Sequence, residues 1–138
     1  MIMKTIRLTI ALLFVSCLAI GQDQASEQKV FDGIAKAVKA SQHTELSTYF
    51  ASSIECDILG KEEVYSKPQA TQVMKDFFTK YTVKNFSILH KSGNGQIKYI
   101  IGTYTSNAGD NFRMTFVVKQ EGNNYLVQQI QIKNNDDK

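Results

Sequence analysis

The sequence predicts a small α+β domain in which a curved antiparallel sheet, a four-strand C-terminal meander plus a short hairpin, packs against about three helices. Three observations carry that prediction. Apolar residues recur at helical spacing over 26–41. Ser66-Lys67-Pro68-Gln69 combines a capping box with a first-turn proline, a helix start written in the sequence. From residue 83 onward, runs suited to strands are broken by Gly93-Asn94-Gly95, Asn107-Ala108-Gly109-Asp110 and Glu121-Gly122-Asn123, all turn chemistry.

Ahead of the domain, residues 1–21 have the form of a cleavable secretory leader. Lys4 and Arg7 are its only charges, and an uncharged apolar run follows from Leu8 to Ile20. That run is too short to span a bilayer, which needs ~20 apolar residues. Ala19 and Gly21 supply small residues for cleavage before Gln22. A lipid anchor at Cys17 is the alternative, but Phe14-Val15-Ser16 suits a lipoprotein signal poorly. The expected destination is therefore the periplasm or the exterior, with no membrane span.

Removing the first 21 of 138 residues leaves 117, enough for one domain over 22–138 with a frayed tail from about 134. Two of the 16 basic residues go with the leader, so the net charge falls from +3 to +1. With scattered lysines, that balance argues against nucleic-acid binding. Cys56 is the only cysteine left, so no internal disulfide forms and the core must hold the fold.

The first helix, 26–41, carries Val30, Phe31, Ile34, Ala35 and Val38 on one stripe, with Ser26 as its expected cap. A short helix over 44–50 holds Leu46, Tyr49 and Phe50. Ile54, Cys56 and Ile58 then alternate with Glu55 and Asp57, the period of a strand. Gly60-Lys61 is the expected turn into a returning strand near Glu63–Tyr65, and both carboxylates are expected to be solvated. The capped helix runs to Tyr81 on a stripe of Ala70, Val73, Met74, Phe77 and Phe78. Strands are expected over 83–92, 96–106, 111–120 and 124–133.

If Asn94-Gly95 is a two-residue turn, Leu89 pairs with Ile100. Keeping apolar positions aligned then pairs Ile100 with Phe116 and Phe116 with Gln128. One face collects Leu89, Ile100, Tyr104, Phe112, Met114, Phe116, Val118, Leu126, Ile130 and Ile132, and the helices should cover it. The other face carries Phe86, Ile88, Tyr99, Ile101, Val117 and Val127 beside His90, Arg113 and Thr115. A solvated sheet face normally alternates cleanly to polar, so this apolar set predicts a partner surface, with twofold self-association as the simplest case.

No catalytic set is legible. No acid falls on the inward positions of the meander, where a general base would need to sit. Cys56 lies between Glu55 and Asp57, which raise a thiol's pKa rather than lower it. His43 and His90 match no metal-ligand spacing, and the glycines sit in hairpin turns, so neither metal nor cofactor is expected. Tyr49, Tyr104 and Gln128, with Met114 and Phe116 as apolar wall, are the residues that would line a pocket for a small apolar ligand.

The segments EVYSKPQATQVMKDFFTKY (63–81), GNGQIKYIIGTYT (93–105) and FRMTFVVKQEGNNYLVQQIQI (112–132) resemble a family of small exported bacterial proteins of unknown function with the cone-shaped nuclear-transport-factor-2-like, or cystatin-like, fold. The resemblance covers nearly all of 22–138 and implies that fold. The wider fold includes isomerases, dehydratases and hydrolases as well as adaptors, so it does not choose an activity. The reading favoured by the residues is a non-enzymatic exported domain binding a small apolar ligand or a protein. The alternative is a small pocket enzyme using Tyr49, Tyr104 and Gln128. Intact-mass measurement of the exported protein should give a chain beginning at Gln22; a mass carrying acyl chains on Cys17 would instead establish the lipid anchor.

Overall fold

In the computed structural model, which describes residues 18–136, the chain runs α1 (Leu18–Lys39), α2 (His43–Ser47), β1 (Phe50–Ile58), β2 (Lys61–Ser66), α3 (Lys67–Lys80), β3 (Val83–Ser92), β4 (Ile97–Ser106), β5 (Asn111–Glu121) and β6 (Asn124–Asn134). Cys17 and the residues before it lie outside the described residues, and with them most of the leader. The expected cleavage point before Gln22 falls inside α1.

Several boundaries differ from the sequence reading. α1 begins at Leu18, so Ser26 lies within it and does not cap it. Only α1's Gly21 disfavours the earlier start, and the Gln and Ala residues around it are good helix formers. α2 ends at Ser47, and Phe50 opens β1 because it lies buried against the sheet at 2% exposure. The β1–β2 turn is Leu59-Gly60, both in the left-handed region at φ +53° and +91°. α3 starts as its sequence dictates. The Ser66 hydroxyl accepts from the Gln69 N–H at 3.4 Å, and the Ser66 N–H donates to Gln69 Oε1 at 3.0 Å.

All six strands join one sheet in the order β2-β1-β6-β5-β4-β3. Neighbours are antiparallel except β1 and β6, which run parallel with Cys56 beside Ile130 and Ile58 beside Ile132. The helices pack on one face, α1 against β3 and β6, α3 against β1 and β2. Between them lies a continuous core that includes Ile34, Leu46, Ile54, Met74, Phe116, Ile130 and Ile132.

Two bulges overturn part of the expected register. β4 and β5 pair as anticipated, Ile100 with Phe116 and Gly102 with Met114. β3 does not pair Leu89 with Ile100. The connection is longer than two residues, so Ser92 faces Tyr99 and Lys91 faces Ile100, and the ladder then shifts by one between Ile88 and His90. Leu89 is extruded and 63% exposed. The odd-numbered shift reverses the faces of the preceding residues, because side chains alternate with period two. Phe86 is therefore buried on the inward face at 1% exposure, and Ile88 packs against the core, not on the outer face. β6 repeats the pattern. Phe116 faces Ile130 rather than Gln128, and a bulge at Gln128 turns Val127 inward and Leu126 outward.

Gly102 shows what the β3 shift requires. A Cβ there would stand 2.5 Å from the Phe86 ring and 2.9 Å from the Ser87 carbonyl oxygen. Phe86 has no free space to retreat into, since it is buried. Gly102→Ala should destabilise the domain by about 1–3 kcal/mol through overpacking, read as a lower urea midpoint with an unchanged slope.

Candidate functional site

The five expected pocket residues do not come together. Tyr104, Met114 and Phe116 are fully buried core residues. The Tyr104 phenol donates to the Tyr81 carbonyl, and its ring packs among Phe77, Phe78 and Phe112. Burial pushes its pKa up to about 12, and the nearby Ser41 hydroxyl offsets part of the rise. Ser41 holds φ +54°, and its buried oxygen makes no hydrogen bond of normal geometry. Gln128 sits at the β6 bulge, where its Nε2 donates to Glu121 Oε1 at 2.6 Å. The inward position expected for it belongs to Val127.

Tyr49 alone of the five lines an open cleft among those described. It is half-buried, and its hydroxyl lies 1.9 Å from where a Cβ on Gly33 would stand, so glycine at that turn of α1 lets the ring seat. The cleft measures about 410 Å³ and is walled by Val30, Tyr49, Tyr125 and Leu126, with Lys29, Thr48, Asn123 and Asn124 at its polar edge. A second, of about 280 Å³, lies between the β1–β2 turn and α3, floored by Ile58, Val73, Phe77 and Tyr81.

Cys56 is buried in the core on the inward side of β1. Burial first, and Glu55 second, push its thiol up to about 11. Asp57 departs from expectation. It is 8% exposed rather than solvated, because β1 is an interior strand with Glu62 beside it on β2 and Gln131 on β6. Gln131 Nε2 donates to its Oδ2 at 3.3 Å, whereas Oδ1 is buried with no partner. His43 opens α2 and His90 is exposed on β3. Among the described residues, no three His, Cys, Asp or Glu side chains gather as a metal site. None of the described helices is long and apolar enough to cross a membrane.

Among the described residues, no helix lies over the outer sheet face. Its apolar members include exposed Ile97 and Tyr99, half-buried Ile101, Val117 and Leu126, and Val64 at 70% exposure on β2. Leu126 and Val64 were not legible as outer-face residues. Leu126 depends on the bulge at Gln128, and Val64 on the pairing of β2 with β1, which sets it opposite Glu55.

A family model described as "Domain of unknown function (DUF4783)" matches residues 31–133. The chain belongs to this family. A DUF4783 protein of Bacteroides ovatus, solved by crystallography, is 31% identical with a TM-score of 0.72, over 76% of this chain and 94% of that one. Another from Bacteroides uniformis is 26% identical with a TM-score of 0.73, over 77% and 97%. A putative dehydratase of the NTF2-like family from Streptomyces avermitilis is 13% identical with a TM-score of 0.61, over 80% and 94%, and so shares the fold alone. No curated protein matches. The DUF4783 domain here is thus an NTF2-like α+β fold, as the resemblance implied.

Cys56 and Tyr104 make the stability of this DUF4783 domain sensitive to base. Both folded pKa values lie above the ordinary 9 and 10, so the folded state holds these protons more tightly than the unfolded chain. Their stabilisation is complete below about pH 9 and is lost as pH rises through the 9–12 window. Urea titrations across that window should show the midpoint falling, and Cys56→Ala should remove the early part of the fall. At neutral pH the native thiol should resist a disulfide reagent and react once urea unfolds the chain.

Proposed function

We propose that this DUF4783 protein is an exported, non-catalytic binding domain that engages another protein through the outer face of its sheet. The observation that carries the reading is the division between the two faces. The inward face is filled by side chains such as Tyr104, Met114 and Phe116, which leaves them no substrate to meet. The outer face keeps Tyr99, Ile101, Val117 and Leu126 without a covering layer among the described residues. Exposed apolar groups gathered on one sheet face favour association. The phenol that a pocket enzyme would need at Tyr104 is committed to the Tyr81 carbonyl.

A second reading rests on the Tyr49 cleft. At about 410 Å³ it falls within the ~300–1,000 Å³ of small-molecule sites, and it combines apolar walls with convergent amide and hydroxyl groups. Native mass spectrometry of the protein purified from its own cell envelope separates the two. The wild type should retain a protein mass that Tyr99→Glu loses. A monomer carrying a small molecule in both forms would reject the sheet-face reading in favour of the cleft.

A further inference from the structure

The cleft beside the β1–β2 turn is walled by a strained residue. Ile58 pairs with Lys61, so Leu59 and Gly60 form a two-residue turn, both at positive φ, +53° and +91°. That is the backbone of a type I′ turn, whose first position favours Asn, Asp or Gly. Leucine is strained there, because its Cβ crowds the backbone in the left-handed region. The position nonetheless holds an apolar side chain, 38% exposed, that lines a cleft of about 280 Å³. Strain kept at such a site points to a use for the side chain. The cleft opens where the helix cover of β1 runs out. Ile54 and Cys56 are fully buried on the inward side of β1, whereas Ile58, next on that side, is half-buried. Val73 and Phe77 of α3 complete the apolar floor. Three charged side chains ring it, Lys61 from β2 and Asp76 and Lys80 from α3. None makes an ion pair among the described residues. One Asp76 oxygen accepts from Gln72 Nε2 at 2.9 Å, and the Lys80 ammonium stands 5.3 Å from the centre of the Tyr81 ring. The carboxyl end of α3 lies here too and adds partial negative charge.

We propose that this cleft binds a small apolar amino acid, its side chain on the floor beside Leu59, its carboxylate at Lys61 and Lys80, and its ammonium at Asp76. The charges select the class. A simple anion would meet Asp76 and the negative end of α3, and a simple cation would meet both lysines. A zwitterion uses charges of both signs, and an apolar body gives Leu59 a partner that an Asn or Gly in the turn would not provide. At about 280 Å³ the cleft falls just below the ~300–1,000 Å³ of sites for drug-sized molecules, which suits a smaller ligand. Tyr49 precedes β1 and Leu59 follows it, so the nine residues of that strand hold the two clefts about 30 Å apart. The cleft at Leu59 shares no residue with the Tyr49 cleft or with the outer sheet face, and binding there is independent of both readings above.

Titration of the mature protein with L-phenylalanine, followed by backbone amide NMR shifts, tests this. Saturable shifts should gather at residues 58–61 and 73–81. N-acetyl-phenylalanine, which lacks the ammonium, and phenylalaninamide, which lacks the carboxylate, should each bind at least ~5-fold more weakly. Lys61→Met, which keeps an apolar stem, and Asp76→Asn should each weaken phenylalanine at least ~3-fold, the scale of one exposed ion pair. Asp76→Asn should leave N-acetyl-phenylalanine unaffected, since the ammonium it would have met is gone. Leu59→Asn should raise the urea midpoint by relieving the turn and weaken binding at the same time, a combination that a purely structural leucine would not give. Absence of saturable shifts at these residues at about 10 mM phenylalanine, where a millimolar site is nearly full, overturns the inference. Shifts at 48–49 and 123–126 instead place the ligand in the Tyr49 cleft and overturn it as well. Equal binding of the three compounds rejects the zwitterion.

Discussion

The parallel pairing of β1 with β6 is the contact on which the rest of this structure depends. It joins a hairpin near the start of the domain to the strand that ends it. A two-stranded hairpin alone is marginal in water. Seated beside β6, β1 becomes an interior strand, and Ile54 and Cys56 reach full burial. α3 packs on β1 and β2, and α2 packs on α3, so both helices lie over a platform that this pairing completes. Closing so long a loop costs entropy before the contact gives anything back, which predisposes the sheet to assemble late.

The same pairing creates the most unusual side chain in the domain. A carboxylate at an edge would stay hydrated. Placed between β2 and β6, Asp57 loses most of its contact with water, and among the described residues only Gln131 donates to it. Burial there comes from backbone topology rather than from any apolar neighbour in sequence.

Two bulges do for the faces what the parallel pair does for the strands. Extruding Leu89 drives Phe86 onto Gly102, and the bulge at Gln128 trades Leu126 for Val127 in the core. Each exchange replaces an expected inward residue by its neighbour. The inward face stays filled by side chains, while apolar area gathers outside at Tyr99, Ile101, Val117 and Leu126. The chemistry left uncommitted is thus that of a surface, not of a chamber.

The sequence by itself determined the elements. The Ser66–Gln69 box set the start of α3, the glycine-bearing turns separated β3 to β6, and the alternation of Phe112, Met114, Phe116 and Val118 assigned the inward side of β5, because all of these act between residues close along the chain. The absence of inward-facing acids on the meander was equally legible. Which strand lies beside β1, where the ladders slip, and therefore which of Phe86, Leu89, Leu126 and Val127 face the helices were decided only by the tertiary structure. A one-residue slip leaves composition and local propensity unchanged, yet it reverses every side chain beyond it; only packing against the opposing helices distinguishes the two registers. Asp57 shows the same limit at a single residue. Its neighbours in sequence mark it as half of a polar face, and its neighbours in space, Glu62 and Gln131, are what bury it.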